Sequence, residues 1–387
     1  MINDKTKLIY LDNAAATMLD HRVLREMMSY LQDRFYNPSA AYSAARAVKA
    51  DLEEARHRLA VVIGARSAEI VLTAGATESD NIALHGVSGD IIVSATEHPA
   101  VLNVAKMRGG KSISVDDKGS INLAELKSAI SDQTELISVG YVNSETGAIA
   151  DLAAVVDLVR RVRSDRRERG IARQLLLHTD ASQAVGICDL NVARLGVDLM
   201  TLNAGKCYGP KQAGLLYVRA GVKLQPLIIG GGQEMGLRSG TENVANAVGF
   251  AKSLELAEAH RKSEVKRLGV LRNQLRYFVL QEFKEAKINE GRRQSPAILN
   301  FSIPGLDGER AVFALDEHGV MVSTGSACAA NKGLRSHVLV AMGLTALEAD
   351  GSIRLSMGRF TTADDIDQLK PILADTIREQ LKFGAMS

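Results

Sequence analysis

A regular alternation of helical and strand-like patterns between about residues 20 and 220 most constrains what this chain can fold into. Apolar residues recur at helical spacing from Leu52 to Val62, and Gly64 follows as a stop, which predicts a helix over roughly 44–63. Short apolar runs rich in β-branched residues follow that helix. They are EIVLT at 69–73, IIVSAT at 91–96, LISVGYVN at 136–143, LLLHTD at 175–180, DLMTLN at 198–203 and GLLYVR at 214–219. This alternation is typical of an α/β domain built on a mainly parallel sheet flanked by helices.

Polar or glycine-rich clusters follow several of these predicted strands. The clusters are TAGATESDN, TEHP, NSETG, TDASQ and NAGK. In open α/β sheets, ligands bind just beyond the carboxyl ends of the strands. The sequence therefore predicts one composite site made from these five clusters.

The pattern changes after Thr241. A long helical pattern covers residues 241–284, and the strand-like runs ILNFSI and SIRLSM come after it. We interpret this helix as a connection between two domains. The prediction is a large domain over 16–254 and a smaller α+β domain that combines 1–15 with 255–387.

Composition excludes several classes of protein. The formal net charge is only +2, aromatic residues make up 4% of the chain and Trp is absent, which argues against direct nucleic-acid binding. The N-terminus lacks the apolar core of a signal peptide, and no apolar run approaches the roughly 18 residues of a membrane span. The three cysteines show no paired metal-ligand spacing. We therefore expect a cytoplasmic protein with free thiols, no membrane contact and no metal site.

Asp180 and Lys206 are the first candidates for chemistry, because each ends a predicted strand. A lone aspartate there is more often a helix cap or loop acid, and a lone lysine is more often solvated. Together they match what pyridoxal phosphate requires, namely a lysine that forms a Schiff base and an aspartate that faces the pyridinium nitrogen. The TAGATESDN turn adds small residues, backbone N–H groups and Thr77 where a strand meets a helix, which suits a phosphate.

Ten motifs in a fixed order carry a resemblance to a known family. They are YLDNAAAT, TAGATESDN, TEHPAV, VNSETG, HTDASQAVG, KCYGPK, GGGQEMGLRSGTEN, STGSACAA, SHVL and IRLSMGRFTT. Each motif alone is weak, but together they span about residues 8–370. The chain resembles the cysteine desulfurases (NifS-like) of the class V aminotransferase group, which are pyridoxal-phosphate enzymes of fold type I.

The resemblance implies a role for each matching residue around the cofactor. Lys206 would hold the cofactor and shuttle protons, and Asp180 would pair with the pyridine nitrogen. His98 would stack on the ring, although it also reads as a turn histidine before Pro99. The remaining cofactor positions are Gln183 at the phenolic oxygen, Ala76, Thr77 and Asn203 at the phosphate, Asn143, and Thr241 reaching the phosphate of a neighbouring subunit. The last of these implies a homodimer.

The resemblance also assigns the substrate site and the nucleophile. Asn13, Asn143 and Arg354 would hold L-cysteine, and an arginine suits a bidentate contact to its carboxylate; Arg354 also reads as a surface ion-pair partner. Cys328 would take the sulfur as a persulfide, leaving L-alanine. The acceptors implied are an iron–sulfur scaffold protein or a tRNA-thiolation enzyme.

Two of the cysteines match no role in the family, and two residues next to or near Lys206 differ from those of many relatives. Cys207 directly follows Lys206 but matches no family role, so we interpret it as a bystander, and Cys188 as a packing residue. Many relatives have a histidine where this chain has Gly205, and serine where it has Asn203. Gly205 removes a side-chain donor but keeps its backbone N–H.

Other functions are compatible with parts of this pattern. A lyase or aminotransferase of the same fold, such as a selenocysteine lyase, would share the cofactor residues. A non-catalytic relative that has lost the cofactor would lack a use for Lys206, Asp180 and Cys328. A NAD-dependent oxidoreductase would need a strand–turn–helix glycine fingerprint, which does not surround the glycines at 230–232. We therefore expect a cysteine desulfurase.

Overall fold

A computed structural model describes residues 8–324 and 335–384 of the chain. Cys328, the predicted nucleophile, lies outside the described residues. The helices are α1 His21–Gln32, α2 Ser43–Ile63, α3 Ala76–His85, α4 Pro99–Met107, α5 Leu123–Ala129, α6 Leu152–Glu168, α7 Val192–Leu195, α8 Val244–Glu282, α9 Gly308–Glu317, α10 His337–Ala341, α11 Ala346–Asp350 and α12 Ala363–Gly384.

The strands fall into three sheets. They are β1 Ile9–Tyr10, β2 Ile70–Thr73, β3 Asp90–Ser94, β4 Lys111–Ile113, β5 Thr134–Ser138, β6 Leu176–Asp180, β7 Leu199–Asn203, β8 Gly214–Val218, β9 Lys287–Ile288, β10 Ile298–Ser302, β11 Val320–Met321 and β12 Ser352–Ser356. The main sheet has seven strands in the order β2-β8-β7-β6-β5-β3-β4. Only β8 runs antiparallel to its neighbours in this sheet, so the mainly parallel sheet predicted from the sequence is observed.

Helix α2 illustrates how the sequence builds the layer on one face of that sheet. Its buried residues include Leu52, Ala55 and Leu59, which recur every three or four positions and so form one apolar stripe. The helix ends at Gly64, whose φ of 68° is left-handed, and the N–H of this glycine bonds back to Ala60 and Val61. The predicted stop at Gly64 is therefore the observed one.

The strand predicted at 136–143 is shorter in the structure. Strand β5 ends at Ser138, and the chain continues as an irregular segment that still bonds to β6, with Val139 N–H donating to the His178 carbonyl at 3.0 Å and Tyr141 N–H to the Asp180 carbonyl at 2.9 Å. Gly140 allows a close approach here, because a Cβ at this position would lie 3.3 Å from Glu97 Oε2. The irregular segment 139–143 thus adds polar backbone groups at the edge of the sheet where the predicted site lies.

Of the hydrophobic clusters among the described residues, the two largest form separate cores. The larger one joins α2, α6 and the first part of α8 to the main sheet, and its members run from Val48 to Ala257. The other contains Ile9 and Leu11 together with residues from Leu268 to Ile377, packed around the three-stranded sheet β12-β10-β9. Helix α8 contributes to both cores. We keep the division into 16–254 and 1–15 with 255–387 as a proposal, for which these two clusters are support.

Within the described residues, no helix combines the length and the apolar character that crossing a bilayer requires.

Candidate active site

The five predicted polar clusters line one cavity at the carboxyl edge of the main sheet. Its volume is about 320 Å³, in the range of ordinary small-molecule sites. The predicted site residues that line it are Ala76, Thr77, His98, Asn143, Asp180, Gln183, Asn203, Lys206 and Arg354. They come together because β2, β3, β5, β6 and β7 all run in the same direction and end at the same edge.

Lys206 projects from a short 3-10 turn, Ala204–Lys206, that directly follows β7. Asn203 begins this turn, since its Oδ1 accepts the Gly205 N–H at 2.9 Å. The Lys206 ammonium donates to the carbonyls of Ala14 at 2.8 Å and Ala15 at 2.7 Å. Burial, reinforced by the charge of Arg354, lowers the pKa of Lys206 below its ordinary value. The amine therefore loses its proton more readily than a surface lysine does.

Asp180 is the last residue of β6, and its Oδ1 accepts the Ser182 N–H at 2.9 Å. Two residues earlier on the same face of this strand, His178 is fully buried. His178 Nδ1 lies 2.8 Å from Ser138 Oγ, and its Nε2 lies 3.7 Å from Asp80 Oδ1. A polar column thus extends from Asp180 into the otherwise apolar layer beneath helix α3.

Burial governs the proton affinities in this column. Loss of water around His178 lowers its pKa to about 4, only partly opposed by the charge of Asp180. Burial, and next the neighbouring Asp180, raise the pKa of Asp80 well above its ordinary value. Both changes favour neutral groups at neutral pH, and Asp180 is the residue of the column that lines the cavity.

The N-terminus of helix α3 forms the part of the cavity that suits an anion. Gly75 precedes this ten-residue helix with a φ of 133°, and no side chain caps its first turn. Ala76, Thr77 and Asn203 surround this helix end on the cavity wall. Uncapped N–H groups and the helix dipole together favour a phosphate at such a position.

His98 and Gln183 border the same space. His98 begins helix α4, where its Nδ1 accepts the Ala100 N–H at 3.1 Å. His98 is exposed by surface area at the edge of the cavity that it lines, and partial desolvation by the surrounding protein lowers its pKa. Gln183 Nε2 donates to the Ala14 carbonyl at 2.9 Å, the same acceptor that Lys206 uses. His98 thus caps helix α4, as the alternative interpretation of a turn histidine before Pro99 predicts. The residue also lines the cavity.

The predicted substrate residues differ in their surroundings. Arg354 is only 3% exposed, and its guanidinium bonds to Asp12 Oδ1 at 2.6 Å and the Ser144 carbonyl at 3.0 Å. Asn143 Oδ1 accepts the N–H groups of Glu145 and Thr146, both at 2.9 Å. Its side chain thus forms the turn after β5, while the residue still lines the cavity.

Within the described part of the chain, two predicted residues, Asn13 and Thr241, do not line this cavity. Asn13 borders a smaller neighbouring cavity of about 80 Å³, which shares Lys206 and Gln183 with the main one. Thr241 is exposed at the surface, as a residue that serves a neighbouring subunit would be. Cys328 lies outside the described residues.

Sequence reasoning did not identify Glu97, Glu145 and His337 as residues of the cavity wall. Glu97 is buried, its Oε1 accepts the Gly140 N–H at 2.6 Å, and burial raises its pKa to about 8. Its carbonyl lies 2.9 Å from His337 Nε2. Glu145 is buried as well and accepts the Ser336 hydroxyl. A signal was present, since both acids belong to the TEHP and NSETG clusters, but only the tertiary fold brings Ser336 and His337 to them.

The donor set tests whether pyridoxal phosphate fits here. An amine with a lowered pKa, a carboxylate at a strand end and an uncapped helix N-terminus all face one cavity. These are the groups that can hold an aldehyde, a pyridinium nitrogen and a phosphate, respectively. The residues fit the group. Together with the mainly parallel sheet, they define the class of protein as a fold-type I pyridoxal-phosphate enzyme.

Comparison with known proteins gives the family. The model of the class-V aminotransferases matches residues 9–369, and the chain belongs to this family. It is 36% identical to the cysteine desulfurase IscS of Clostridium botulinum over 98% of this chain and 97% of the relative. It is 38% identical to the cysteine desulfurase IscS of Dictyoglomus turgidum over 97% of this chain and 95% of the relative.

Solved structures agree with this assignment. A NifS-like protein superposes with a TM-score of 0.87 at 31% identity, covering 96% of this chain and 100% of its own. The NifS-like protein of Rickettsia africae gives a TM-score of 0.86 at 29% identity, covering 96% of this chain and 99% of its own. The predicted family, the predicted fold class and the predicted pyridoxal-phosphate dependence are confirmed.

Proposed function

We propose that this chain is a cysteine desulfurase that removes the sulfur of L-cysteine, releases L-alanine and carries the sulfur as a persulfide on Cys328. The convergence of Lys206, Asp180 and the α3 N-terminus on one cavity is the observation that carries the proposal. The class of activity is confirmed by curated relatives named cysteine desulfurase, which align with this chain over nearly their whole length. The role of each residue is our assignment.

Lys206 binds the cofactor and moves protons within the cavity. Its lowered pKa provides a neutral amine nearer to neutral pH than an ordinary lysine would. Asp180 would pair with a protonated pyridine nitrogen, while the α3 N-terminus with Thr77 and Asn203 would hold the phosphate. When bound, pyridoxal phosphate supplies an electron sink for the bonds around the substrate α-carbon.

Arg354 orients the substrate by its α-carboxylate. The guanidinium is buried at the cavity wall, where a charged hydrogen bond is stronger than in water. Asn13 and Asn143 would complete this subsite beside the lysine. His98 lines the same cavity and would stack against the bound cofactor ring.

The sulfur transfer balances without an external oxidant. The Cys328 thiolate attacks the substrate sulfur, an S–S bond forms, and the C–S bond breaks with its electron pair left on the substrate carbon. That carbon takes up a proton and becomes the methyl group of alanine. Cys328 lies outside the described residues, so its part rests on the STGSACAA motif.

The test measures alanine and sulfide from L-cysteine in the presence of a thiol reductant, and the absorbance of the purified protein. Lys206→Ala should remove the absorbance band and the activity together. Cys328→Ala should keep the band and lose sulfide release. Full sulfide release by Cys328→Ala would contradict the persulfide, and release of selenium alone from selenocysteine would favour the lyase instead.

Homodimerisation is part of the proposal. Large apolar side chains stand exposed on the single chain near helix α1 and in the loop before α8, which is the usual mark of a contact surface. Their exposed fractions are 84% for Ile229, 70% for Phe35, 58% for Leu31 and 53% for Met235. Thr241 lies in the same loop as Ile229 and Met235, so a dimer through this surface would bring it toward a second active site. Light scattering of the purified protein tests the dimer.

The acceptors and the location are assigned by chemistry. A persulfide needs a protein thiol or a thiolation enzyme to receive it, so we propose an iron–sulfur scaffold protein or a tRNA-thiolation enzyme as partner. We place the enzyme in the cytoplasm, because Cys188 and Cys207 are free thiols. Capture of partners on the Cys328 persulfide, with Cys328→Ser as the control, would identify the acceptor.

A further inference from the structure

Arg354 and Asp12 form a buried ion pair at the wall of the cavity. Arg354 Nη2 lies 2.6 Å from Asp12 Oδ1, and the side chains of the two residues are only 4% and 19% exposed. The pair joins positions 342 residues apart in the sequence. In a setting with little water, such a carboxylate is a strong competitor for any other anion that approaches the same guanidinium.

The backbone holds Asp12 in this position. Residues 11–14 run beside strand β12, which contains Arg354, and Asp12 forms a bridge with Ser356. Ser356 N–H donates to the Leu11 carbonyl at 2.7 Å, and Ala14 N–H donates to Ser356 Oγ at 2.9 Å. Asp12 is therefore held by backbone contacts beside Ser356, which lies two residues after Arg354 on strand β12. Its position does not depend on a flexible loop.

The same short segment also holds two predicted cofactor residues. The Ala14 carbonyl accepts from Lys206 Nζ at 2.8 Å and from Gln183 Nε2 at 2.9 Å. Other charges near Arg354 are Lys206 and Glu145, and Glu145 is engaged by the Ser336 hydroxyl. Residues 12–15 thus contact both Arg354, the proposed carboxylate-binding arginine, and Lys206.

We propose that Asp12 is an internal counter-ion which the α-carboxylate of the substrate must compete with at Arg354, and that it thereby sets the specificity of the site. This inference rests on the proposed function. A simple carboxylate can contact only Arg354, and this one contact does not offset the cost of displacing Asp12. An amino acid also gains contacts through its amine beside Lys206, so it binds where other small carboxylates do not.

The kinetic test replaces Asp12 by asparagine, which keeps the shape and removes the charge. In Asp12→Asn, KM for L-cysteine should fall by about five-fold, the factor of a modest charge interaction, with kcat within about two-fold. Inhibition by acetate should become stronger in the variant than in the wild type. A KM that is unchanged or higher would overturn the proposal, because it would show that Asp12 only orients Arg354.

A second measurement needs neither cofactor nor activity. Removing the partner of a buried charge destabilises the fold, so the apoprotein of Asp12→Asn should unfold at a lower temperature. Added acetate should restore part of that loss by binding Arg354, whereas chloride at equal ionic strength should not. No specific effect of acetate on the variant would overturn the proposal even if the chain proves to be a desulfurase. A clear acetate effect in an inactive chain would instead count against the proposed function alone.

Two further variants keep the test decisive. The double variant Asp12→Asn/Arg354→Gln leaves no charge unpaired, so it should recover stability and lose the acetate effect, including where Asp12→Asn alone does not fold. Asp20→Asn is a matched control, since Asp20 forms a similarly buried pair with Arg359 at 2.9 Å outside the main cavity. It should lose stability without any rescue by acetate and without a lower KM, and the same rescue there would overturn the proposal.

Discussion

Lys206 and Cys207 are neighbours in the chain, yet their reactive atoms lie in different environments. Lys206 Nζ faces the cavity and donates to the Ala14 and Ala15 carbonyls, whereas Cys207 Sγ is buried 3.5 Å from Ser253 Oγ. Lys206 is the last residue of the 3-10 turn Ala204–Lys206, and Cys207 caps that turn. Only the amine is placed to react with a molecule in the main cavity.

The first prediction concerns the protonation of Lys206. Because burial lowers its pKa, the rate at which the apoprotein binds pyridoxal phosphate should level off at a lower pH than the roughly 10.5 of an ordinary lysine. Rapid-mixing absorbance across a pH series measures this rate. Lys206→Ala should show no covalent phase, and a midpoint at the ordinary value would contradict the lowered pKa.

The second prediction concerns the two described cysteines. Burial raises the pKa of Cys207 to about 11 and that of Cys188 to about 11, so both thiols stay protonated and unreactive at neutral pH. Iodoacetamide should leave both unlabelled in the folded protein and label both after denaturation, as read by mass spectrometry. Cys207→Ala should keep sulfide release within about two-fold. Loss of activity in this variant would return Cys207 to the list of candidate nucleophiles.

The sequence was sufficient to predict the strands and the edge at which the site lies. Asn203 and Asp180 end apolar runs, and local periodicity alone places the end of a strand. The turn formed by Asn143 was also predictable, because an asparagine often accepts N–H groups two and three residues further on. The resemblance also assigns Asn143 to the substrate, and that role stays a prediction.

Pairings between distant segments were beyond such reasoning. Arg354 meets Asp12 across 342 positions, and His178 meets Asp80 from a different element. These contacts depend on how β12 docks beside the N-terminal segment and how α3 packs on the sheet, which no local pattern encodes. The roles of Thr241 and Cys328 stay predictions, since a second chain and residues outside the described range would be needed to place them.

The third prediction uses the buried His178. Its pKa of about 4 lies below the ordinary value of about 6.5, so between these pH values the unfolded chain binds a proton that the folded chain does not. Stability should therefore fall as the pH drops through this window, by on the order of 3 kcal/mol for this group. Urea unfolding at several pH values measures the slope.

His178→Gln removes the titrating ring, so the slope between pH 6.5 and 4 should become shallower by about one proton. His57 is exposed on helix α2, so His57→Gln provides a control variant that should leave the slope as it is. An equal change in both variants would show that burial of His178 is not the cause.

The fourth prediction concerns Glu97, whose pKa is raised to about 8 by burial. A raised pKa means that its contribution to stability is fully present below the unfolded value of about 4.5 and is lost as the pH rises through about 8. Glu97→Gln mimics the protonated acid and stays neutral. The variant should be more stable than the wild type at pH 9 and similar at pH 5, as measured by thermal unfolding. Lower stability of the variant than of the wild type at pH 9 would mean that the fold stabilises the ionised carboxylate, which would contradict the raised pKa of Glu97.

The fifth prediction tests what holds the loop that contains Thr241. Glu234 is 2% exposed and makes two hydrogen bonds to Arg56, at 2.6 and 2.8 Å, and a third to the Leu72 N–H at 2.7 Å. The backbone at Glu234 and Met235 is left-handed, with φ of 49° and 58°, so this ion pair holds a strained turn in place. Glu234→Gln removes the buried charged partner of Arg56 and should cost about 3 kcal/mol in urea unfolding at fixed protein concentration.

A matched control is available on the same arginine. Glu53 also contacts Arg56, at 3.2 Å, but its side chain is 52% exposed, so Glu53→Gln should cost less than about 1 kcal/mol. If the loop also forms the proposed dimer surface, Glu234→Gln should shift the protein toward monomer in light scattering, whereas Glu53→Gln should not. Equal losses of stability in the two variants would contradict the view that the buried pair, rather than the exposed one, holds this loop.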